Sequence, residues 1–199
     1  GVGVILLILG AVMVFFIKSE ELTMILNTPE ILTIIQEFLP FAIAAMVSMS
    51  ATTASSVSLE GKSLWIIKSA PIEVKDWFLS KIFVNLTVTV PGTVIAGILL
   101  GIFFKLSVFQ MIICLFFSIS YSYLSSVFGL LINLKFPLFD WTSETVVVKQ
   151  SAASMIGSFC PMLAVGLPVV LKIVFHDINS EVFLLVTTVV VLIGAILLH

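Results

Sequence analysis

The residues able to do chemistry are few, and most lie in two short polar stretches. The first holds Glu60, Gly61, Lys62, Trp65, Lys68 and Pro71, with Trp77 six residues further on. The second holds Asp140, Trp141, Glu144, Lys149 and Gln150. Carboxylates and ammonium groups interleaved with tryptophan suit ionic and stacking contacts with another surface. That surface is either a protein partner or the anionic headgroups of a bilayer, which attract juxtamembrane lysines, and the residues alone leave both readings open. A third set consists of Glu37 and the hydroxyls Ser48, Thr52 and Ser56, all inside apolar sequence.

No catalytic constellation emerges. His176 and His199 stand alone, and there is no HExxH, no P-loop and no acid pair with a basic partner. Cys114 and Cys160 lack CxxC spacing and a neighbouring histidine, so they read as structural thiols in lipid or helix contacts rather than metal ligands or a disulfide. No cofactor is expected, and the chain reads as a non-enzyme. Asn85-Leu86-Thr87 matches a glycosylation acceptor but falls at the loop end of an apolar run, where that chemistry has no access.

The elements that must carry these residues follow from composition. Of 199 residues, 60% are hydrophobic and 10% charged, against about 45–50% and about 25% in soluble domains. A soluble core of this length cannot absorb so much apolar surface, and disorder needs the opposite composition. The net charge is −2, with nine lysines and no arginine, which excludes a nucleic-acid surface. The remaining class is an all-α, multi-pass membrane bundle. The chain opens at Gly1-Val2-Gly3-Val4 already within an apolar run, and reads as an internal fragment of a larger membrane protein.

A membrane-crossing helix needs about 20 apolar residues, and six runs approach that length: 1–17, 31–57, 82–104, 107–132, 151–175 and 182–198. The long connections 58–81 and 133–150 share one side and carry six lysines. Three lysines (Lys18, Lys105 and Lys172) flank the other side. The positive-inside rule therefore places both long loops in the cytoplasm.

Small residues recur every fourth position in Ala44/Ser48/Thr52/Ser56, Thr93/Gly97/Gly101 and Ser118/Ser122/Ser126. Such ladders let helices approach closely. The stretch 48–58, with seven Ser or Thr in eleven residues, reads either as packing or as the lining of a polar path. Glu37 is the one acid in an extended apolar run, a functional candidate by type. Thr28-Pro29-Glu30 reads as a helix start, which would leave Glu37 at the boundary with water. Pro161 and Pro168 predict a broken or flexible span. Residues 72–81 predict an interfacial helix with Val74, Trp77, Phe78 and Lys81 on one face.

The two polar stretches also resemble a known family. Glu60-Gly61-Lys62, Trp65, Lys68-Ser69 and Pro71-Ile72 look like the loop motif of bacterial ABC exporter permeases related to the ABC-2 type. Phe136-Pro137, Phe139-Asp140-Trp141, Glu144 and Lys149-Gln150-Ser151 resemble their second loop, with Leu138 and Ala70 departing from the pattern. The resemblance covers about 25 residues in the two loops. It implies a bacterial inner-membrane permease subunit that pairs with a separate cytoplasmic ATPase, through residues 60–81 and 140–150. A second membrane bundle or a homodimeric copy would complete it. The alternative is an ion- or proton-coupled secondary transporter, which would need an acid at the membrane midplane. A lipid-modifying enzyme would need a catalytic set that is missing.

Overall fold

A computed structural model of the chain describes residues 2–16, 28–61, 65, 69, 71, 73–175 and 177–199. Eight helices and no strands occur among them: α1 (Val2–Phe16), α2 (Pro29–Ser48), α3 (Thr53–Leu59), α4 (Val74–Phe103), α5 (Val108–Lys135), α6 (Glu144–Gln150), α7 (Ala152–Val174) and α8 (Ser180–Leu198). In hydrocarbon the backbone must bond within its own segment, which leaves helices as the available open-ended element. Five segments are long and apolar enough to cross a bilayer: 29–59, 74–103, 108–135, 144–174 and 180–198. The first predicted run is present as α1, whose 15 described residues fall short of that length.

The bundle is apolar on its outside as well as in part of its core. Val, Leu and Ile cover the outside of α4, α7 and α8, while hydroxyl and amide side chains fill much of the centre. α5 is the axial helix, touching α2, α3, α4, α7 and α8. One apolar cluster joins Leu7 and Ala11 of α1 to Ile43, Val47, Ala96 and Cys114. Another joins α2, α5, α7 and α8, where Phe41 meets Phe117 edge-on at 5.2 Å.

Two sequence expectations change, and a third is extended. The run predicted at 31–57 is broken at Met49–Thr52, between α2 and α3. Hydroxyl side chains crowd that stretch and compete for backbone groups. In α7 the helix instead continues through Pro161 and Pro168. The predicted interfacial helix is the opening of α4, which runs unbroken to Phe103. Trp77 and Phe78 are half-buried against Val57, Ile82, Val127 and Leu130, while Val74 on the same face stays exposed.

The two ends of the bundle differ. The loop end carries the α3–α4 and α5–α7 connections. The turn end carries the tight turn at Lys105, whose φ is +54°, and the 175–179 link into α8. α5 begins there with a reciprocal cap, in which Gln110 N donates to Ser107 Oγ and Ser107 N donates to Gln110 Oε1.

Candidate functional site

At the loop end the two polar stretches, some eighty residues apart in sequence, fold onto each other. Ser58, at the end of α3, is their junction. Its hydroxyl accepts from Leu138 N at 3.0 Å and from Asn133 Nδ2 at 2.7 Å, and its carbonyl accepts from Trp141 Nε1 at 3.0 Å. Three residues on, Gly61 lies against the Phe139 ring, and a Cβ there would run into it. Glu60 pairs with Lys81 and accepts from Trp77 Nε1 at 3.2 Å. Lys81 in turn lies 5.6 Å from the centre of the Trp77 ring, within cation–π range.

Glu60 is thus committed inside the chain, while Trp65, 70% exposed, projects outward. Pro71, Phe139, Asp140, Glu144 and Gln150 are also exposed. Lys62 and Lys68 lie outside the described residues. Lys149 sits on α6, two residues before Ser151, whose hydroxyl accepts from Ser154 N and so caps α7.

A buried polar seam leads from this end to the middle of the bundle. At the α2–α3 break, the Thr52 amide and hydroxyl both donate to Asn85 Oδ1, at 2.9 and 2.7 Å. Asn85 Nδ2 donates to Ser126 Oγ at 2.5 Å, and the Thr89 and Ser122 hydroxyls meet at 2.6 Å. Thr53 Oγ1 donates to Ser126 O. Lower down, Asn133 Oδ1 accepts from the Val57 and Ser58 amides at 2.8 and 3.0 Å. Two asparagines with no solvent exposure therefore supply acceptors for backbone N–H groups of a short, interrupted helix.

α3 fits into a notch cut by glycines. A Cβ at Gly129 would stand 2.8 Å from Thr53 Oγ1 and 3.2 Å from Ala54 N, and one at Gly157 would stand 2.6 Å from Ala54 Cβ. Of the predicted hydroxyls, Thr52 joins the seam. Ser48 donates to Ala44 O and Ser56 to Thr53 O, so both bond back onto their own chain. Among the described residues, every buried side-chain N or O has a hydrogen-bond partner. Among the described residues the seam is hydrogen-bonded side chain to side chain and side chain to backbone.

Glu37 belongs to the other end. It lies about 12 Å along α2 from Pro29, and its Oε1 accepts from Ser180 Oγ at 2.6 Å. With Gln36, Gln110 and Glu181 it borders a cavity of about 390 Å³, whose apolar wall includes Pro40, Ile113 and Leu184. Gln36 Nε2 donates to Phe104 O at 2.7 Å, which ties α2 to the Lys105 turn. Behind this region Lys172, 4% exposed, donates to Ile178 O at 2.8 Å.

Sequence reasoning gave Asn85, Asn133 and Lys172 no role in the packing. The signal available for the first two was their type: lone amides in apolar helices are costly unless bonded. Thr28 holds the cap position before Pro29, in an extended conformation, but its side chain makes no capping bond. No cluster of three His, Cys, Asp or Glu suited to a metal occurs among the described residues.

Fold and site together define an all-α helical bundle with the make-up of a multi-pass membrane protein. No protein family, curated protein or solved structure matches the chain.

Proposed function

We propose that the chain is the membrane-spanning permease subunit of an ATP-driven, ABC-type exporter, whose loop end faces the cytoplasm and docks a separate ATPase. One observation carries the reading. The two stretches that resemble permease loops form a single body, joined at Ser58 and at the Gly61–Phe139 contact. α3 leads from that body to the break at Met49–Thr52, so a push on the loop end is passed to the seam at Asn85.

Trp65, Asp140 and Glu144 offer the exposed docking chemistry, while Glu60 holds Lys81 and Trp77 in place behind them. In a complex reconstituted with its nucleotide-hydrolysing partner, Trp65→Ala and Glu60→Ala lower substrate-stimulated ATP hydrolysis and leave membrane insertion intact. Unchanged hydrolysis in both variants counts against the proposal.

The secondary-transporter reading draws less support. Glu37, its candidate acid, sits toward the turn end in a bond with Ser180, and the seam deeper in the bundle is built of neutral groups.

A further inference from the structure

The break between α2 and α3 falls where the sequence holds no helix breaker. No glycine or proline occurs from Phe41 to Glu60, whereas Pro40, Pro91, Pro161 and Pro168 all lie inside unbroken helices. The backbone at both edges of the break is already right-handed helical. Met49 has φ −69° and ψ −9°, and Thr52 has φ −67° and ψ −22°. Ser50 N donates to Val47 O and Ala54 N to Ala51 O, three residues back instead of four. The interruption is thus confined to the turn around Ser50 and Ala51.

A sharp interruption without proline or glycine needs a side chain or water inserted into the helix ladder. Here the side chain is Asn85 of α4. In a continuous helix the partner of Thr52 N is Ser48 O, four residues back. In the structure Thr52 N donates instead to Asn85 Oδ1 at 2.9 Å, and the Thr52 hydroxyl donates to the same oxygen at 2.7 Å. Asn85 has no solvent exposure, and its Nδ2 is held by Ser126 Oγ of α5. That bond aims the oxygen at the break without help from α3. From the other side, Ser50 Oγ accepts from Val4 N of α1 at 2.8 Å. Neighbouring helices therefore impose the interruption on a segment with no breaker of its own.

We propose that residues 49–52 form a two-state hinge, latched in the broken form by Asn85. In the other form Thr52 N returns to Ser48 O and α2 and α3 join into one rod. α3 then leaves the notch at Gly129 and Gly157, where Ala54 is seated. Because α3 carries Ser58, the loop-end body bonded to that residue moves with it. The switch exchanges a side-chain acceptor for a backbone acceptor at a single amide. Packed elements with two such arrangements move between them rather than deform continuously. The hinge belongs to the bundle alone, so it stands or falls apart from nucleotide coupling.

The test measures the position of α3 in the whole protein in lipid nanodiscs. Leu59→Cys on α3 and Met155→Cys on α7, in a Cys160→Ser background, carry spin labels whose separation is read by pulsed electron resonance. Asn85→Leu shifts the mean distance by about 3 Å or more, because position 59 stands about 10 Å beyond Thr52 along α3. Labels at Ile34→Cys and Met155→Cys, with α2 on the far side of the hinge, keep their distance. Ser126→Ala, which leaves the Asn85 oxygen at the break, keeps both distances.

Thr52→Pro separates a latch from an ordinary packing bond. Proline fits the φ of −67° found at Thr52, has no N–H to satisfy, and bars the continuous helix. Ala51 before it lies outside both helices, which suits the residue preceding a proline. Thr52→Pro combined with Asn85→Leu therefore returns the 59–155 distance to that of the parent. If Asn85→Leu alone fails to fold, the same double variant restores folding. An unchanged distance in Asn85→Leu, an equal shift in the 34–155 pair or in Ser126→Ala, or no rescue by Thr52→Pro overturns the proposal.

Discussion

Among single residues, Asn133 has the largest structural task. Interhelical hydrogen bonds between side chains in membranes average only about 0.6 kcal/mol, because the unfolded helices find other partners. Asn133 differs in that its oxygen serves two backbone amides, Val57 and Ser58, deep in the packing. Removing it strands those donors at about 1–3 kcal/mol. Asn133→Ala is therefore expected to lose about 2 kcal/mol in thermal or denaturant unfolding in detergent. Ser118→Ala serves as the contrast. Its hydroxyl donates to Cys114 O within its own helix, and its loss is expected to change stability by less than about 0.5 kcal/mol. Equal effects from the two substitutions would remove the special role assigned to the amide.

At the level of elements, the decisive contact is the seating of α3 between α5 and α7. Gly129 and Gly157 bring two helix surfaces within reach of its backbone. Gly129→Ala must push Thr53 and Ala54 outward, an overpacking cost of about 1–3 kcal/mol. Gly166, by contrast, faces open space, and Gly166→Ala is expected to be neutral or to stabilise by up to about 1 kcal/mol through helix propensity. Melting curves of the two alanine variants separate these outcomes. Gly61→Ala tests the same principle at the loop end. The added methyl meets the Phe139 ring and must displace it, which loosens the contact between the two polar stretches, and in a reconstituted complex ATP hydrolysis is expected to fall while the bundle itself stays folded.

For the molecule as a whole, the testable quantity is which face meets which compartment. Lys75 and Thr145 are exposed at the loop end and Lys105 is near the turn end. In a Cys160→Ser background, which removes the exposed native thiol and leaves Cys114 buried, cysteines at 75 and 145 are expected to react with an impermeant reagent only after the cells are opened. A cysteine at 105 is expected to react in intact cells. The reverse pattern would turn the bundle over and remove the loop end from any cytoplasmic ATPase.

Composition and run length were enough to read the helical, membrane-type bundle, because hydrocarbon leaves few ways to satisfy a backbone and about 20 residues set the length. The polar stretches around Glu60 and Asp140 were also visible, since charge and tryptophan stand out against an apolar chain. Their meeting at Ser58 was not, because it depends on α5 bringing Leu138 and Trp141 to the end of α3. Nor could periodicity tell that the span breaks at Met49–Thr52 while Pro161 and Pro168 stay helical. Broken backbone persists where a neighbour supplies the missing partner, here Asn85 for Thr52, and that supply is a property of packing. Glu37 was legible as an acid at a boundary, but its partner Ser180 lies 143 residues away. Local chemistry is written residue by residue; which distant groups share a hydrogen bond is decided only when the helices have chosen their neighbours.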